Sequence, residues 1–200
     1  MKVENVKVYD LEDSIKASKY PMTTNTSKCN DDITNTVKLL GSSNKGEGHD
    51  QWLTGVRVAF DLTFSNKAWI ELERYRFIEF VSSQSTMHRI TNLNIREQCN
   101  KYVWDSTIEK LELAVEEYNM VVDDVGGKDK DGRIADKYLE ILYNIPSGFQ
   151  ITARLTTNYR ALKTVYDQRK SHKLPEWREF CDWIETLPHF KELCLGGNKC

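Results

Sequence analysis

The strict alternation of apolar with polar or small side chains over residues 56–64 constrains the fold more than any other sequence feature. Its apolar members are Val56, Val58, Phe60, Leu62 and Phe64. A period of two places all five on one face of an extended strand, which predicts a strand that is buried on one side. A similar alternation over residues 149–155 predicts a second strand.

Helical periodicity surrounds these strands. We predict helices over residues 31–40, over residues 67 to about 81 after the Ser65-Asn66 cap, and from the capping box at Ser106. A charged loop at residues 123–132, a short helix before Pro146 and two more helices, opened by Asn158 and Pro175, complete the pattern. Helices and strands that do not alternate as βαβ units indicate an α+β fold. We expect one domain over residues 1–200, with an antiparallel sheet flanked by helices.

Composition excludes several functional classes. Hydrophobic residues make up 40% of the 200 residues and charged residues 29%, which is typical of a globular protein. A formal net charge of −2 argues against a protein that coats duplex nucleic acid, because such a protein needs a basic surface. No segment reaches the roughly 20 consecutive apolar residues that span a bilayer. We expect a cytoplasmic protein without a membrane segment.

Neither the cysteines nor the histidines predict a metal site. The five cysteines form an odd set without CxxC spacing, which favours free thiols in a reducing compartment. The four histidines lack metal-ligand spacing, so we expect no metal. The calcium-loop likeness of residues 127–138 fails because Gly127 and Tyr138 replace the two key carboxylates. Nucleophile-elbow, Rossmann and P-loop motifs do not occur.

Two arginine-bearing segments are candidates for binding an anion. In the first, Arg74 and Arg76 flank Tyr75, and a Ser- and Gln-rich turn leads to Arg89. Guanidinium groups bind phosphate bidentately, and hydroxyls supply neutral donors. A solvated helix face, with nearby glutamates pairing these arginines, explains the same pattern.

The second segment is the helix that Asn158 opens. Its first turn carries Arg160, where free amide groups favour an anion, although Asn158 also suits a plain helix cap. Arg169 continues the apolar stripe of Leu162, Val165 and Tyr166. No acid lies three or four positions from Arg169, so we predict that it binds a nucleotide; a snorkelling side chain is the alternative.

In chain order these elements resemble the flavin-dependent thymidylate synthase family. Gly48-His49 precedes a strand, and Arg74-Tyr75-Arg76 follows at the spacing of the family's Arg-His-Arg motif. Pro146, Asn158, Arg160 and Arg169 keep the family's mutual spacings without gaps. Residues 175–178 resemble its C-terminal Gln-x-Glu-Ile-Arg stretch. The resemblance spans roughly residues 49–178.

The resemblance implies a reaction and a site. FAD would deliver hydride, with NADPH as reductant, and methylenetetrahydrofolate would give the carbon that converts dUMP to dTMP. The residues that would contact FAD are His49, Arg74, Tyr75, Arg76, Asn158 and Arg160. Those that would hold dUMP are Glu71, Ser83, Gln84, Ser85, Arg89 and Arg169. Arg169 would also be catalytic, by stabilising negative charge on the uracil ring. A homotetramer whose sites are shared between chains would follow.

The chain departs from the family's pattern at three positions. Tyr75 stands for the motif's histidine, Leu142 for a substrate-binding arginine and Thr164 for a flavin-binding asparagine. Three alternatives therefore remain: FAD-dependent modification of another pyrimidine nucleotide, such as hydroxymethylation; a non-enzymatic relative that binds a nucleotide or a partner; and an unrelated α+β interaction domain.

Overall fold

The computed structural model describes residues 1–124 and 132–196. Within them the strands are β1 (Lys2–Tyr9), β2 (Arg57–Ser65), β3 (Glu79–Ser83) and β4 (Gln150–Asn158). The α-helices of the same residues are α1 (Leu11–Ala17), α2 (Asn35–Gly41), α3 (Asn66–Leu72), α4 (Thr86–Arg89), α5 (Ile95–Gln98), α6 (Asp105–Asp124), α7 (Arg133–Tyr143), α8 (Tyr159–Arg169), α9 (Pro175–Ile184) and α10 (Phe190–Cys194).

The four strands form one sheet in the order β1-β2-β4-β3. Strands β2 and β4 run antiparallel, because Asn66 N donates to Phe149 O at one end and Tyr159 N donates to Val56 O at the other. The two alternating segments of the sequence therefore pair at the centre of the sheet. The predicted α+β fold with an antiparallel sheet is confirmed.

The chain divides into two compact units. The first unit comprises Met1–Leu62, Leu72–Val81 and the described part of Arg154–Cys200, and the second comprises Thr63–Glu71 and Ser82–Ala153. Three of the strands have residues in both units. The single domain over residues 1–200 stays a prediction.

Aromatic side chains build the core of the first unit. Phe60, on the buried face of β2, lies with its ring centroid 4.6 Å from that of Trp183 and 5.9 Å from that of Phe180. Tyr159 meets Phe190 edge-on at 5.1 Å. Trp177 is fully buried. This aromatic packing anchors α8, α9 and α10, which carry or support several of the predicted site residues.

The core of the second unit is aliphatic. Its buried members are Ile90, Ile95, Ile108, Leu111, Val115, Ile141 and Phe149. Helices α6 and α7 supply most of them, in agreement with the periodicity of residues 106–118 and of the segment before Pro146. Leu142 packs against this cluster and is partly buried.

Several predicted boundaries are wrong. The helix expected over residues 67–81 ends at Leu72, the chain turns, and residues 79–83 form strand β3 instead. Pairing with β4 outweighed helical periodicity, and the aromatic Phe80 and β-branched Val81 are residue types that favour strands. Helix α6 begins at Asp105 rather than after a Ser106 cap.

Other elements differ from the sequence-based expectation in extent. Thr34 caps α2, so the helix expected over residues 31–40 begins four residues later. Helix α6 takes up Asp123 and Asp124 from the charged loop, and residues 125–131 lie outside the described part of the chain. Strand β1 and helices α1 and α10 were not predicted from the sequence. In the described residues no helix is long and apolar enough to cross a membrane.

Candidate functional site

Every residue predicted to contact FAD lies in the first unit. His49 is exposed on the loop between α2 and β2, just after Gly48, whose φ of 75° suits a glycine. Asp50 follows His49 and is buried, with 6% of its surface exposed. The loop therefore presents an imidazole to solvent while its next side chain is held inside.

Arg160 binds this loop. Its Nε donates to Oδ1 of Asp50 at 2.9 Å, and its Nη1 donates to Oε1 of Gln51 at 2.7 Å. Arg160 lies in the first turn of α8, as predicted, but two of its guanidinium nitrogens already donate hydrogen bonds within the chain. Its predicted contact with FAD stays a prediction.

Lys163 also binds the loop, and sequence reasoning missed it. Its Nζ donates to the carbonyl oxygens of Gly41 and Ser43, at 2.8 and 2.7 Å, and to Oδ2 of Asp50 at 3.0 Å. Only 9% of Lys163 is exposed. The sequence did offer a signal, because Lys163 lies one turn after Tyr159 and beside the apolar stripe of α8. A lysine in that position is expected to be buried, and a buried ammonium group needs hydrogen-bond acceptors.

Asn158 caps helix α8. Its Oδ1 accepts a hydrogen bond from Ala161 N at 2.9 Å, and its backbone is extended, as at most helix N-caps. The side chain is buried, with 8% of the residue exposed. The capping interpretation is confirmed, and a contact between Asn158 and FAD stays a prediction.

The Arg74-Tyr75-Arg76 segment lies in a turn rather than on a helix, which corrects its expected setting. Tyr75 N donates to Leu72 O at 2.9 Å, and Ile78 N donates to Tyr75 O at 3.0 Å. Arg74 and Arg76 are exposed, while Tyr75 between them is partly buried. The two arginine side chains therefore reach solvent, while the phenol ring between them is partly covered.

Tyr75 meets Arg169, which lies 94 residues away in the chain. The Tyr75 hydroxyl accepts from Nε of Arg169 at 2.8 Å and donates to Oε1 of Gln168 at 2.9 Å. The guanidinium carbon of Arg169 lies 4.7 Å from the centroid of the Trp177 ring and 5.5 Å from that of Tyr75. These contacts hold a partly buried cation between two aromatic rings.

The remaining predicted substrate residues lie in the second unit. Glu71, in the last turn of α3, is partly buried and pairs with Lys67 at 3.3 Å. Gln84 accepts from Thr152 N through its side chain, and its own backbone N donates to Thr152 O; both distances are 2.9 Å. The Gln84 amide oxygen thus extends the pairing of β3 with β4.

Ser83, Ser85 and Arg89 surround Gln84 in the sequence. Ser83 ends β3 and is exposed, Ser85 is partly buried, and Arg89 is exposed at the end of α4. The predicted hydroxyl-rich turn exists, but with a strand before it and a helix after it. Substrate contacts by these residues stay predictions.

Leu142 and Thr164, two of the three positions that depart from the family's pattern, have contacts within the chain. Leu142 packs against the aliphatic core of the second unit. Thr164 donates from Oγ1 to Arg160 O at 3.3 Å, a bond within α8. By the resemblance, these are the positions at which the family has an arginine and an asparagine.

One cleft of the second unit lies away from the predicted site residues. It lies between α6 and α7, has a volume of about 470 Å³, and is lined by Thr107, Lys110, Leu111, Leu113, Ala114, Glu117, Glu140 and Asn144. None of these is a predicted site residue.

Three of the four described thiols have a raised pKa. Burial raises the pKa of Cys181 to about 12 and also raises the pKa of Cys194 and of Cys99. A thiol of raised pKa stays protonated at neutral pH and is a poor nucleophile. Among residues 1–124 and 132–196 no group of three or more His, Cys, Asp or Glu side chains could hold a metal; Cys200 lies outside these residues.

No protein-family model matches the chain, and no curated protein matches it. Several solved structures, however, match its fold. The thymidylate synthase ThyX of Helicobacter pylori, with FAD and dUMP, is 17% identical and aligns with a TM-score of 0.69 over 96% of each chain. A second structure of the flavin-dependent thymidylate synthase ThyX from the same organism, complexed with FAD and dUMP, is also 17% identical, with a TM-score of 0.67 over 96% of this chain and 98% of that one.

This chain has the fold of the flavin-dependent thymidylate synthases. A third structure with this fold is the UMP/dUMP methylase PolB of Streptomyces cacaoi, bound with 5-Br dUMP. It is 17% identical, with a TM-score of 0.62 over 97% of this chain and 92% of that one. The resemblance read from the sequence is confirmed at the level of the thymidylate synthase fold.

Proposed function

We propose that the chain is a FAD-dependent enzyme that modifies a pyrimidine deoxynucleotide, with methylation of dUMP to dTMP as its reaction. The observation that carries the proposal is the shared fold over 96% of the chain with an enzyme whose structure holds FAD and dUMP. The arginines that resemble the family's motifs support it, because they supply cationic side chains for two phosphorylated ligands.

The residues of the first unit suit FAD unequally. Arg74 and Arg76 are exposed, so their guanidinium groups can meet an anionic ligand without losing a buried partner. His49 is exposed as well. Arg160 would contribute through Nη2, since Nε and Nη1 already bind Asp50 and Gln51. Bound FAD would supply the hydride, with NADPH as the proposed reductant and methylenetetrahydrofolate as the proposed carbon donor.

Arg169 is the proposed catalytic residue. Its guanidinium group is held against Tyr75 and Trp177, so it needs little reorganisation to stabilise negative charge that develops on a uracil ring. Glu71, Ser83, Gln84, Ser85 and Arg89 are the further residues that we propose for nucleotide binding. Methyl transfer then needs no nucleophile from the protein.

A second reaction is supported by Leu142. An aliphatic side chain where the family has a substrate arginine removes one charged contact with the nucleotide. Modification of another pyrimidine nucleotide, such as hydroxymethylation, is therefore the alternative that we propose. Binding of dUMP and of dCMP separates the two.

We also propose that the protein is a cytoplasmic homotetramer with shared sites. Strand β3 ends the sheet and is exposed along its whole length. On this strand, Phe80 and Val81 are 43% and 61% exposed. Large apolar side chains along a sheet edge are typical of a surface that another chain covers.

Reconstitution with FAD tests the proposal. We expect the protein to bind FAD and turn yellow, and the double variant Arg74→Ala/Arg76→Ala to bind at least tenfold less tightly. Arg57→Ala, which removes an exposed arginine from β2, is the matched control. A thermal shift with dUMP and then with dCMP identifies the base. Colourless protein whose melting temperature does not respond to FAD or to either nucleotide contradicts the enzyme and favours a relative that binds a protein partner.

A further inference from the structure

The hydroxyl of Tyr75 has a defined direction. The Gln168 Oε1 that it meets can only accept a hydrogen bond, so the single phenolic proton points to Gln168. The oxygen lone pair is then left for Arg169, whose Nε can only donate. Each bond polarises the next, so Gln168, Tyr75 and Arg169 form one directed chain.

The guanidinium group is restrained from a second side. Trp177 is fully buried, and its ring lies edge-on to Phe180 at 6.0 Å, so the core of the first unit fixes its position. The carbon of the Arg169 guanidinium group lies over this ring. The contact with Trp177 fixes the position of the guanidinium group, and the hydrogen bond from Nε to Tyr75 fixes its orientation.

This geometry conflicts with a simple role for Tyr75 in holding FAD. Both hydrogen-bonding directions of its hydroxyl are already used within the first unit. An arginine side chain that is fixed before its ligand arrives loses less rotamer freedom on binding. The phenol that stands for the family's imidazole supplies the oxygen that accepts this bond from Arg169.

We propose that Tyr75 is a positioning residue for Arg169, and that it acts on nucleotide binding rather than on FAD binding. The inference rests on the proposed function, in which Arg169 meets the nucleotide. It assigns a use to the tyrosine that departs from the family's motif. Gln168 takes part by orienting the Tyr75 hydroxyl.

A double-mutant cycle on nucleotide affinity tests the inference. The protein is reconstituted with FAD, and dUMP binding is measured by calorimetry for the wild type, Tyr75→Phe, Arg169→Ala and the double variant. Phe keeps the aromatic ring and removes only the oxygen. We expect Tyr75→Phe to weaken dUMP binding about fivefold and Arg169→Ala at least tenfold. The double variant should bind no more weakly than Arg169→Ala, because Tyr75 acts through Arg169.

Two more variants test the role of Gln168 and provide a control. Gln168→Leu should weaken dUMP binding in the same direction but less than Tyr75→Phe does. Tyr166→Phe is the matched control, since its hydroxyl lies on the same helix but bonds to Glu185. The control should bind dUMP like the wild type. FAD content should stay unchanged in all these variants.

The outcomes separate this inference from the proposed function. If the wild type binds dUMP and Arg169→Ala loses binding while Tyr75→Phe does not, the function stands and the positioning role is wrong. Additive losses in the double variant, or reduced FAD content in Tyr75→Phe, likewise overturn the positioning role. If the FAD-loaded wild type does not bind dUMP or dCMP at all, the proposed function and this inference fall together.

Discussion

The ammonium group of Lys163 lies 3.0 Å from a carboxylate oxygen of Asp50, and the two side chains are only 11% and 8% exposed. The second carboxylate oxygen of Asp50 binds Arg160 at 2.9 Å. One acidic side chain thus ties the loop that carries His49 to two positions on α8. Because both cations and the carboxylate bind within the chain, the loop keeps its place before any ligand arrives.

Replacing Lys163 with Met should destabilise the protein substantially. The change leaves Asp50 with Arg160 as its remaining cation and deprives two carbonyl oxygens of their donor. We expect the free energy of unfolding to fall by about 3 kcal/mol, the scale for a broken buried ion pair. Urea unfolding measures the loss. Lys45→Met, at an exposed position of the same loop, is the control; a loss no larger than that of the control contradicts the anchoring role.

Substitutions at Asn158 separate its cap from its proposed contact with FAD. Asn158→Ala removes the acceptor for Ala161 N and should cost about 1 kcal/mol of stability. Asn158→Asp keeps the acceptor at the positive end of α8, so its melting temperature should match that of the wild type. We expect both variants to bind less FAD, as measured by retained absorbance after gel filtration. Full FAD binding by Asn158→Asp would leave Asn158 with the capping role alone.

Glu185 should make stability depend on pH. Hydrogen bonds from Lys191 and then from Tyr166 hold the pKa of Glu185 below its ordinary value of 4.5. A lowered folded-state pKa stabilises the protein above the unfolded value, and this contribution disappears as the pH falls through the folded value. The melting-temperature difference between wild type and Glu185→Gln should therefore be largest near neutral pH and shrink below about pH 4.5.

Glu73→Gln, at an exposed position in the same unit, is the control for this comparison. Its difference from the wild type should stay small at every pH. A difference for Glu185→Gln that does not change between neutral and acidic pH would mean that the ionised carboxylate is not what stabilises the contact with Lys191.

A charge on β3 should disrupt the proposed tetramer. Val81 is 61% exposed on the strand that ends the sheet, and burying a carboxylate there would be costly. Light scattering should give the wild type a mass several times the 23.3 kDa of one chain and Val81→Glu a lower mass. Leu39→Glu, at a position of α2 that is 71% exposed, serves as the control and should assemble normally. A wild-type mass near that of one chain would rule out the oligomer.

Features that depend on neighbouring residues could be predicted from the sequence. The alternation at residues 56–64 predicted β2, and the alternation at residues 149–155 predicted β4, because side-chain direction follows directly from a period of two. The cap at Asn158 and the proline that opens α9 were also predicted, since a cap and its helix are adjacent in the chain. The resemblance to the thymidylate synthase fold came from spacings along the same segments.

Features that depend on distant residues were decided by the tertiary structure. Residues 73–81 were predicted to continue a helix, yet the chain turns after Leu72 and residues 79–83 pair with β4, about seventy residues away in the chain. Lys163 donates a hydrogen bond to Asp50, which lies 113 positions away in the chain, and Arg169 donates one to Tyr75, which lies 94 positions away. Local periodicity says which side of an element is apolar, but not which partner meets it. A buried charge is stabilised only by the groups that surround it in space, so the roles of Lys163 and Tyr75 became visible once the chain had folded.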